Sequence, residues 1–306
     1  MATLAGNAPL VTRRAQRRLG ILLVIPVSLI MVFFFLLPLG NALVYSVVDF
    51  DGISATPPFV GLDNFREMFA DDEVWHALGN NAVWIVIGTV APIVIGLSIA
   101  LLLWGVQRGS VLYRLCFFLP YVLPPVAIGI VWGWIYDPVQ GVLNRALGAL
   151  GLDALQRGWL GDPTWALYAV LVTAIWSYTG FAVVIFVSAL RNVDVELVDA
   201  SRIDGANSPS RLWYIILPQI MPVFLMVLTL TLVGGFSVFD IIFVMTGGGP
   251  ADATNVIGTY SYNQAFQLSR ISYGTTLALL ITILSVPFAV GLNKLQRRLS
   301  LQGTGA

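Results

Sequence analysis

One acidic side chain stands out among the residues that could do chemistry. Asp240 is the only carboxylate inside an otherwise continuous apolar run. A charge in apolar surroundings is costly unless it is paired or hydrated, so such a residue usually faces a cavity or a partner. Two interpretations remain open. Asp240 accepts hydrogen bonds from solute hydroxyls or gates a path, or it caps nearby backbone or pairs with another subunit.

A second group consists of aromatic, hydroxyl and glycine residues in three apolar runs. Aromatic faces with hydroxyls are what a pocket for a polyhydroxyl solute requires. Small and hydroxylated residues also pack helices together in membrane bundles, and this alternative stays open for each of them. The group comprises Tyr121, Trp132, Trp134, Trp176, Ser177, Tyr178, Thr179, Gly180, Thr229, Thr231, Gly234, Gly235 and Ser237.

Several kinds of reactive site are excluded. His76 and Cys116 are the only His and Cys, which rules out a disulfide framework and a multi-ligand Cys/His metal site. Lys294 is the only Lys and lies in GLNKLQ, so no Gly-Lys-Ser/Thr phosphate loop exists to bind ATP. No paired carboxylates, His cluster or nucleophile motif lies in the apolar runs. These absences make a membrane enzyme the least favoured interpretation of the chain, and no bound cofactor is expected.

The elements that carry these residues are apolar runs of membrane-spanning length. The chain is 58% hydrophobic and 10% charged, against about 25% charged for a soluble domain. Inside a bilayer such runs form helices, since a spanning helix needs about 20 apolar residues. We therefore predict an all-α polytopic protein with six transmembrane helices, the fifth continuing past Asp240 to about Thr246. The runs are Leu19–Val48, Val74–Gln107, Leu115–Tyr136, Pro163–Leu190, Leu212–Phe239 and Ile271–Asn293.

Prolines interrupt the third run. Pro120, Pro124 and Pro125 lie within FFLPYVLPPVAIG. Each proline removes a backbone hydrogen bond, so the helix must bend or open there. Carbonyl groups freed at membrane depth are tolerated where they line a cavity, so the bend marks a candidate cavity wall.

Basic residues predict the orientation of the chain. With the N-terminus in the cytoplasm, the inner segments hold twelve Lys or Arg and the outer segments four. Residues 1–18 are then a cytoplasmic segment, 19–298 the six-helix transmembrane domain and 299–306 a cytoplasmic tail. The first apolar run is too long for a signal peptide, so we interpret it as an uncleaved span.

The longest polar interruption on the predicted inner side is Asp194–Pro218, within the loop 191–218. Its chemistry predicts two short helices with a bend. Asp194 caps the first, and Gly205 supplies the left-handed residue that ends it. Ser208 followed by Pro209 is typical of the start of a second helix.

The spacing in this segment matches a family signature of the form E-A-A, three residues, Gly, nine residues, I-x-L-P. Asp replaces Glu and Ser replaces the second Ala, which keeps charge sign and size. The chain therefore resembles the permeases of binding-protein-dependent ABC importers, in the maltose-type carbohydrate family and as its first permease subunit. The residues of the predicted coupling loop are Asp199, Ala200, Ser201, Asp204, Gly205, Ile215, Leu217 and Pro218.

This resemblance implies the type I ABC importer permease fold with both termini cytoplasmic, in a bacterial inner membrane. It implies a transport subunit, not an enzyme, that works with a second permease subunit, usually a different chain in the resembled subfamily. The other partners it implies are two ATPase subunits that hold ATP and Mg, an external sugar-binding protein and the lipid membrane, without nucleic acid. FVGLDNF and TGGGP also resemble carbohydrate permeases. Trp176 departs from the polar residue of the maltose transporter, so the sugar need not be maltose. The implied substrate path comprises Tyr121, Trp176, Thr179, Gly180, Thr231, Gly235 and Asp240.

The absence of Lys and Arg from the six runs favours a neutral carbohydrate, because an anion would need a cation or a helix N-terminus. A second permease could supply that charge, so import of a sugar-alcohol phosphate is an alternative. A stand-alone ion-coupled transporter using Asp240 is another. One acid is sparse for a proton relay, and no inverted repeat is visible.

Overall fold

The computed structural model describes residues 13–105 and 109–303. These residues are helical or irregular, without a β-strand, and one isolated bridge joins Val48 to Phe59. Residues 1–12 of the predicted N-terminal segment and 304–306 of the predicted tail lie outside the described residues. The described residues are therefore all-α, as expected from the composition.

Fourteen α-helices follow one another in the described residues. Short π-helical turns join the first to the second and the tenth to the eleventh, and a third turn extends the thirteenth. The helices are α1 (Arg13–Met31), α2 (Leu37–Tyr45), α3 (Asp63–Ala70), α4 (Asp72–Leu103), α5 (Ser110–Val122), α6 (Pro125–Ile135), α7 (Val142–Ala149), α8 (Ala166–Leu190), α9 (Val195–Ile203), α10 (Ser208–Arg211), α11 (Leu217–Phe236), α12 (Asp240–Met245), α13 (Ile257–Tyr262) and α14 (Ile271–Gly303).

Membrane-length helices coincide with the predicted runs. Five continuous helices are long and apolar enough to cross a bilayer, and α5 with α6 makes a sixth span if the bent pair counts as one. The prediction of six spans is confirmed on that count. The continuous spans are Gly20–Tyr45, Asp72–Leu103, Ala166–Leu190, Ser208–Phe236 and Ile271–Arg298.

The predicted bend in the third span is confirmed. The axes of α5 and α6 meet at 95°. Pro124 has no amide hydrogen to donate to the carbonyl of Pro120, and the Ser177 hydroxyl of α8 donates to that carbonyl instead at 3.2 Å. A side chain of the neighbouring span therefore supplies the hydrogen bond that the broken helix lacks.

The expected continuation of the fifth span through Asp240 is wrong. The helix α11 ends at Phe236, and α12 begins at Asp240 after a break of three residues. Gly234 and Gly235 directly precede this break, and glycine lowers helix stability by about 1 kcal/mol relative to alanine. Asp240 is thus the first residue of a short helix rather than a residue buried in a continuous span.

The centre of the bundle is the contact between α4 and α8. Gly96 of α4 lies so close to α8 that a Cβ atom there would come within 2.5 Å of the Ala182 Cβ. Val183 and Phe186 are fully buried around this contact, and Ile220 and Val227 of α11 complete the cluster. This packing fixes the faces of α4, α8 and α11, which also line the cavities described next.

Candidate solute pathway and coupling segment

Two adjoining cavities lie among α4, α5, α8, α11 and α12. The first, which we name the aromatic cavity, has a volume of about 310 Å³. Its lining residues are Trp84, Gly88, Tyr121, Tyr178, Phe181, Leu230, Thr231, Gly234 and Gly235. The second, which we name the Asp240 cavity, has a volume of about 340 Å³. Besides Asp240 it is lined by Tyr121, Leu123, Pro125, Ile128, Ala174, Ser177, Tyr178, Gly234, Ser237, Val238, Phe239 and Ile241.

The two cavities share a wall and form one cleft. Tyr121, Tyr178 and Gly234 line both of them. The Tyr121 ring stacks on Phe181 with centroids 5.0 Å apart and lies 6.2 Å from the Tyr178 ring. Leu123 and Pro125, at the break between α5 and α6, line the Asp240 cavity as well. The cleft therefore combines aromatic faces, phenol hydroxyls and a broken helix.

Four of the seven predicted path residues meet in this cleft. Thr231 and Gly235 line the aromatic cavity, Asp240 lines the other, and Tyr121 lines both. The Thr231 hydroxyl donates to the Val227 carbonyl at 2.9 Å, which leaves its oxygen free to accept a hydrogen bond.

The other three predicted path residues line neither cavity. The Thr179 hydroxyl is buried and donates to the Ile175 carbonyl at 2.6 Å. Gly180 is a packing residue, because a Cβ there would lie 1.9 Å from the Phe117 carbonyl oxygen. Trp176 is 43% exposed and packs edge-on against another tryptophan, Trp132, at 5.5 Å.

Sequence reasoning did not select the α4 side of the cleft. Trp84 and Gly88 are four residues apart, so they lie on one face of α4. The indole of Trp84 lies 3.6 Å from where a Cβ of Gly88 would be, so the glycine makes room beside the ring. A tryptophan with a glycine four residues later in an apolar run was the available signal. Tyr178 was recognised as an aromatic candidate but not placed in the path.

The cleft carries negative charge and no positive charge among its described lining residues. Neither cavity is lined by Lys, Arg or His, and Asp240 is the single acid. Asp240 is exposed, and in the described chain it makes no ion pair. The arrangement can stack against an apolar sugar face and accept hydrogen bonds from hydroxyls. It offers no side-chain cation to hold a phosphate or carboxylate.

The Asp194–Pro218 segment begins as the sequence predicts. The Asp194 carboxylate accepts hydrogen bonds from the Glu196 and Leu197 amides at 2.9 and 3.4 Å, which caps α9. Gly205 has a φ of +81°, and no atom lies within 4 Å of a Cβ built on it. The conformation of the backbone, not lack of space, therefore favours glycine there.

The second half of this segment differs from the prediction in two ways. Asn207, not Ser208, caps the second helix, because its side-chain oxygen accepts from the Ser210 amide at 2.9 Å. The Ser208 hydroxyl instead accepts from the Arg211 guanidinium at 3.0 Å. The second helix is also not separate, since α10 runs through the π-helical turn Leu212–Ile216 into α11.

Most coupling-loop residues are solvent-exposed. Asp199 pairs with Arg202 at 2.7 Å, with both side chains more than half exposed. Ser201 is buried and donates to the Val198 carbonyl at 2.6 Å. Ala200, Asp204, Gly205 and Pro218 are exposed, Ile215 is partly buried and Leu217 is buried.

A polar network fixes the other long loop, Gly247–Arg270. The Asp71 carboxylate, which also caps α4, accepts hydrogen bonds from the hydroxyls of Tyr260 at 2.6 Å and Tyr273 at 2.5 Å. Burial raises the pKa of Asp71, but these bonds and that from the Glu73 amide outweigh it and hold the pKa below its usual range. Burial, together with the bond to Asp71, raises the pKa of Tyr260 well above its usual range.

Asparagines of α4 complete the attachment of this loop. The Asn80 side chain donates to the carbonyls of Ala253 and Asn255 at 3.1 and 2.7 Å. The Asn81 side-chain oxygen accepts from the Ile257 amide at 2.9 Å. The loop is therefore bound to the start of α4 through several buried groups.

Comparisons with known proteins agree with this architecture. A model of the family described as "Binding-protein-dependent transport system inner membrane component" matches residues 92–301. The diacetylchitobiose uptake system permease protein NgcF of Streptomyces coelicolor is 34% identical over 90% of this chain and 81% of its own. The sn-glycerol-3-phosphate transport system permease protein UgpA of Yersinia pestis is 31% identical over 90% of this chain and 92% of its own.

A solved structure shares the fold. In the crystal structure of a bacterial alginate ABC transporter in complex with an alginate pentasaccharide-bound periplasmic protein, one chain superposes with a TM-score of 0.80. The superposition covers 94% of this chain and 98% of that chain at 20% identity, so it speaks for the fold alone. The all-α architecture is thus that of an ABC importer permease. The chain belongs to the family of inner membrane components of binding-protein-dependent transport systems.

Proposed function

We propose that this chain is one permease subunit of an ATP-driven ABC importer for a neutral mono- or oligosaccharide. An external binding protein delivers the sugar, and the spans expose the cleft alternately to the two sides of the membrane. The observation that carries the proposal is the cleft itself. It joins stacked aromatic rings to a carboxylate and hydroxyls without a side-chain cation among its described lining residues.

The named relatives support sugar transport but differ in cargo. Diacetylchitobiose is a neutral disaccharide, whereas glycerol 3-phosphate carries a phosphate. A phosphate site normally uses an Arg, a Lys or a helix N-terminus aimed at the anion. The described cleft has no lining Lys or Arg, which favours the neutral sugar over the sugar-alcohol phosphate.

The Asp194–Pro218 segment is the proposed docking site for the ATPase subunits. The excess of basic residues in the same set of loops supports a position on the cytoplasmic side. It leaves an apolar side chain outside the candidate spans uncovered by the rest of the described chain, with Ile203 88% exposed. Exposed apolar side chains beside charged ones are typical of protein interfaces. Force from nucleotide binding would enter the spans here.

The remaining partners follow from the same proposal. A second permease chain completes the path, and two ATPase subunits bind ATP and Mg and perform the hydrolysis. This chain binds no nucleotide and does no bond chemistry. Its part is to line the path and to transmit motion from the coupling segment to the cleft.

Reconstitution tests the proposal directly. The chain is placed in proteoliposomes with its partner permease, its ATPases and its binding protein, and uptake of labelled sugars is measured with ATP inside. A thermal-shift screen of the binding protein first identifies the sugar to label. We expect uptake that requires both ATP and the binding protein.

A matched control uses the chain alone with an imposed proton or sodium gradient and no ATP. Accumulation of the sugar under those conditions would show an ion-coupled carrier and overturn the proposal. If the transporter takes up a sugar-alcohol phosphate with ATP but takes up no neutral sugar, the proposed substrate class is wrong. The proposed ATP-driven mechanism would still hold.

A further inference from the structure

Asp240 is the only charged side chain among the described residues that line the cleft. It is solvent-exposed. The polar lining groups from the other spans are neutral: Tyr121, Ser177 and Tyr178. The charge of the cleft wall therefore rests on one carboxylate.

The walls around this carboxylate screen it weakly. Ile128, Ala174 and Val238 contribute apolar surface to the same cavity. A cleft lined by charge of one sign with low-dielectric walls concentrates counter-ions and repels ions of like sign. With an effective dielectric constant near 20, the field of one charge remains substantial over roughly 8 Å, which is comparable to the size of a sugar ring.

We propose that Asp240 sets the charge selectivity of the path. Neutral sugars pass, with hydroxyls donating to the carboxylate and ring faces stacking on Tyr121. Sugars with a protonated amino group pass as well. Sugar phosphates and uronic acids are excluded at the cleft, independently of the selection made by the binding protein. This inference rests on the proposed function for the existence of the path and adds the residue that filters by charge.

A cysteine placed in the cleft measures this field without knowledge of the sugar. Gly234 lines both cavities, and no atom lies within 4 Å of a Cβ built on it, so Gly234→Cys fits. The native Cys116 is replaced by Ala in that variant. The assembled transporter is then treated with a cationic and an anionic methanethiosulfonate of similar size, and the two labelling rates are compared.

We expect the ratio of cationic to anionic rate at Gly234→Cys to exceed that of a free thiol by about threefold or more. Adding Asp240→Asn should return the ratio to the free-thiol value. The matched control is Ser54→Cys in the same Cys116→Ala background, because Ser54 is exposed in the loop between α2 and α3 and lines neither cavity, and its ratio should not respond to Asp240→Asn. A second probe, Ser237→Cys, should behave as Gly234→Cys does, because Ser237 lines the Asp240 cavity.

The inference is overturned if Asp240→Asn leaves the ratio of cationic to anionic labelling rate unchanged at both probes. It is also overturned if a cation of the second permease reverses that ratio. If neither probe reacts while Ser54→Cys does, the cleft admits no solute and the inference also falls. Failure of the proposed function is a separate result. It would appear as absence of ATP-dependent uptake while the charge-dependent labelling persists.

Discussion

The two long polar stretches of this chain, Gly247–Arg270 and Asp194–Pro218, are of similar length but opposite character. In the first, Thr254 and Thr259 are 0% and Asn255 is 1% exposed. Its hydrogen bonds reach far along the sequence, as from Tyr260 to Asp71. This stretch is therefore held to the rest of the chain by buried side chains and long-range hydrogen bonds.

The Asp194–Pro218 segment makes mostly local bonds. Its caps and its ion pair join residues two or three positions apart, and among its described side-chain bonds the longest interval is that from the Asp194 amide to Gln219 at 2.9 Å. It leaves Ile203 88% exposed. Val198, Ile216 and Leu217 anchor the segment in the core, while its charged face bonds mainly to itself. Substitutions on that exposed face should therefore affect coupling more than stability.

The largest effect on stability is expected at Asp71. Asp71→Ala removes two charge-assisted hydrogen bonds and the cap of α4, and should lower the free energy of unfolding by about 3 kcal/mol. Thermal unfolding of the purified protein in detergent measures this. Asp63→Ala is the control, because its ion pair with Arg66 is largely exposed and should contribute at most about 0.5 kcal/mol. Equal losses of unfolding free energy in Asp71→Ala and Asp63→Ala would contradict the view that the Gly247–Arg270 stretch is held by the Asp71 network.

Gly205→Val should reduce transport about tenfold, with little change in unfolding temperature. A β-branched residue at positive φ costs roughly 1–2 kcal/mol, which distorts the turn between α9 and α10 locally. ATPase activity and sugar uptake of the reconstituted transporter, measured together, should show hydrolysis no longer coupled to uptake. Gly205→Asn is the matched control, because Asn tolerates this conformation. Normal uptake in Gly205→Val would remove the segment from the mechanism.

Acid should destabilise the protein partly through Asp71. Its folded-state pKa lies below the ordinary value of 3.8, so the stabilisation it gives is present above that value and is lost as the pH falls through the folded-state pKa. In Tyr260→Phe the acid sensitivity should be smaller, because one of the bonds that lower the pKa is absent. The measurement is unfolding temperature against pH between about 2 and 6 for both proteins. Identical pH profiles in the two proteins would contradict the assignment of acid sensitivity to Asp71.

The smallest effect on stability is expected at Asp199. Its ion pair with Arg202 is exposed, so Asp199→Asn should change the free energy of unfolding by at most about 0.5 kcal/mol. Asp199→Lys reverses the charge on the proposed docking face and should weaken copurification of the ATPase subunits. Pull-down of those subunits at low and high salt checks this. A large loss of unfolding temperature in Asp199→Asn would mean that the segment is structural after all.

The spans were predictable because apolar length alone determines them. The break before Pro125 was predictable too, since Pro124 cannot donate a backbone hydrogen bond. The break after Phe236 was not, because Gly234 and Gly235 are tolerated inside many membrane helices and packing decides whether the helix ends there.

The composition of the site was only partly predictable. Trp176 and Tyr178 are two residues apart, so they point to different faces of α8, and the sequence alone does not say which face meets the cleft. Trp84 was missed for the same reason. Its side of α4 is determined by the close approach of Gly96 to Ala182, a contact between residues far apart in sequence.

The helix α8 has a consequence for how the two regions communicate. It ends at Leu190, just before Asp194, and no proline lies within it. About 20 Å earlier, at a rise of 1.5 Å per residue, Ser177 holds the α5–α6 break and Tyr178 lines both cavities. In the proposed mechanism, a displacement at the segment end of this unbroken helix would reach the cleft without an intervening joint, so the docking face and the cleft wall would move together.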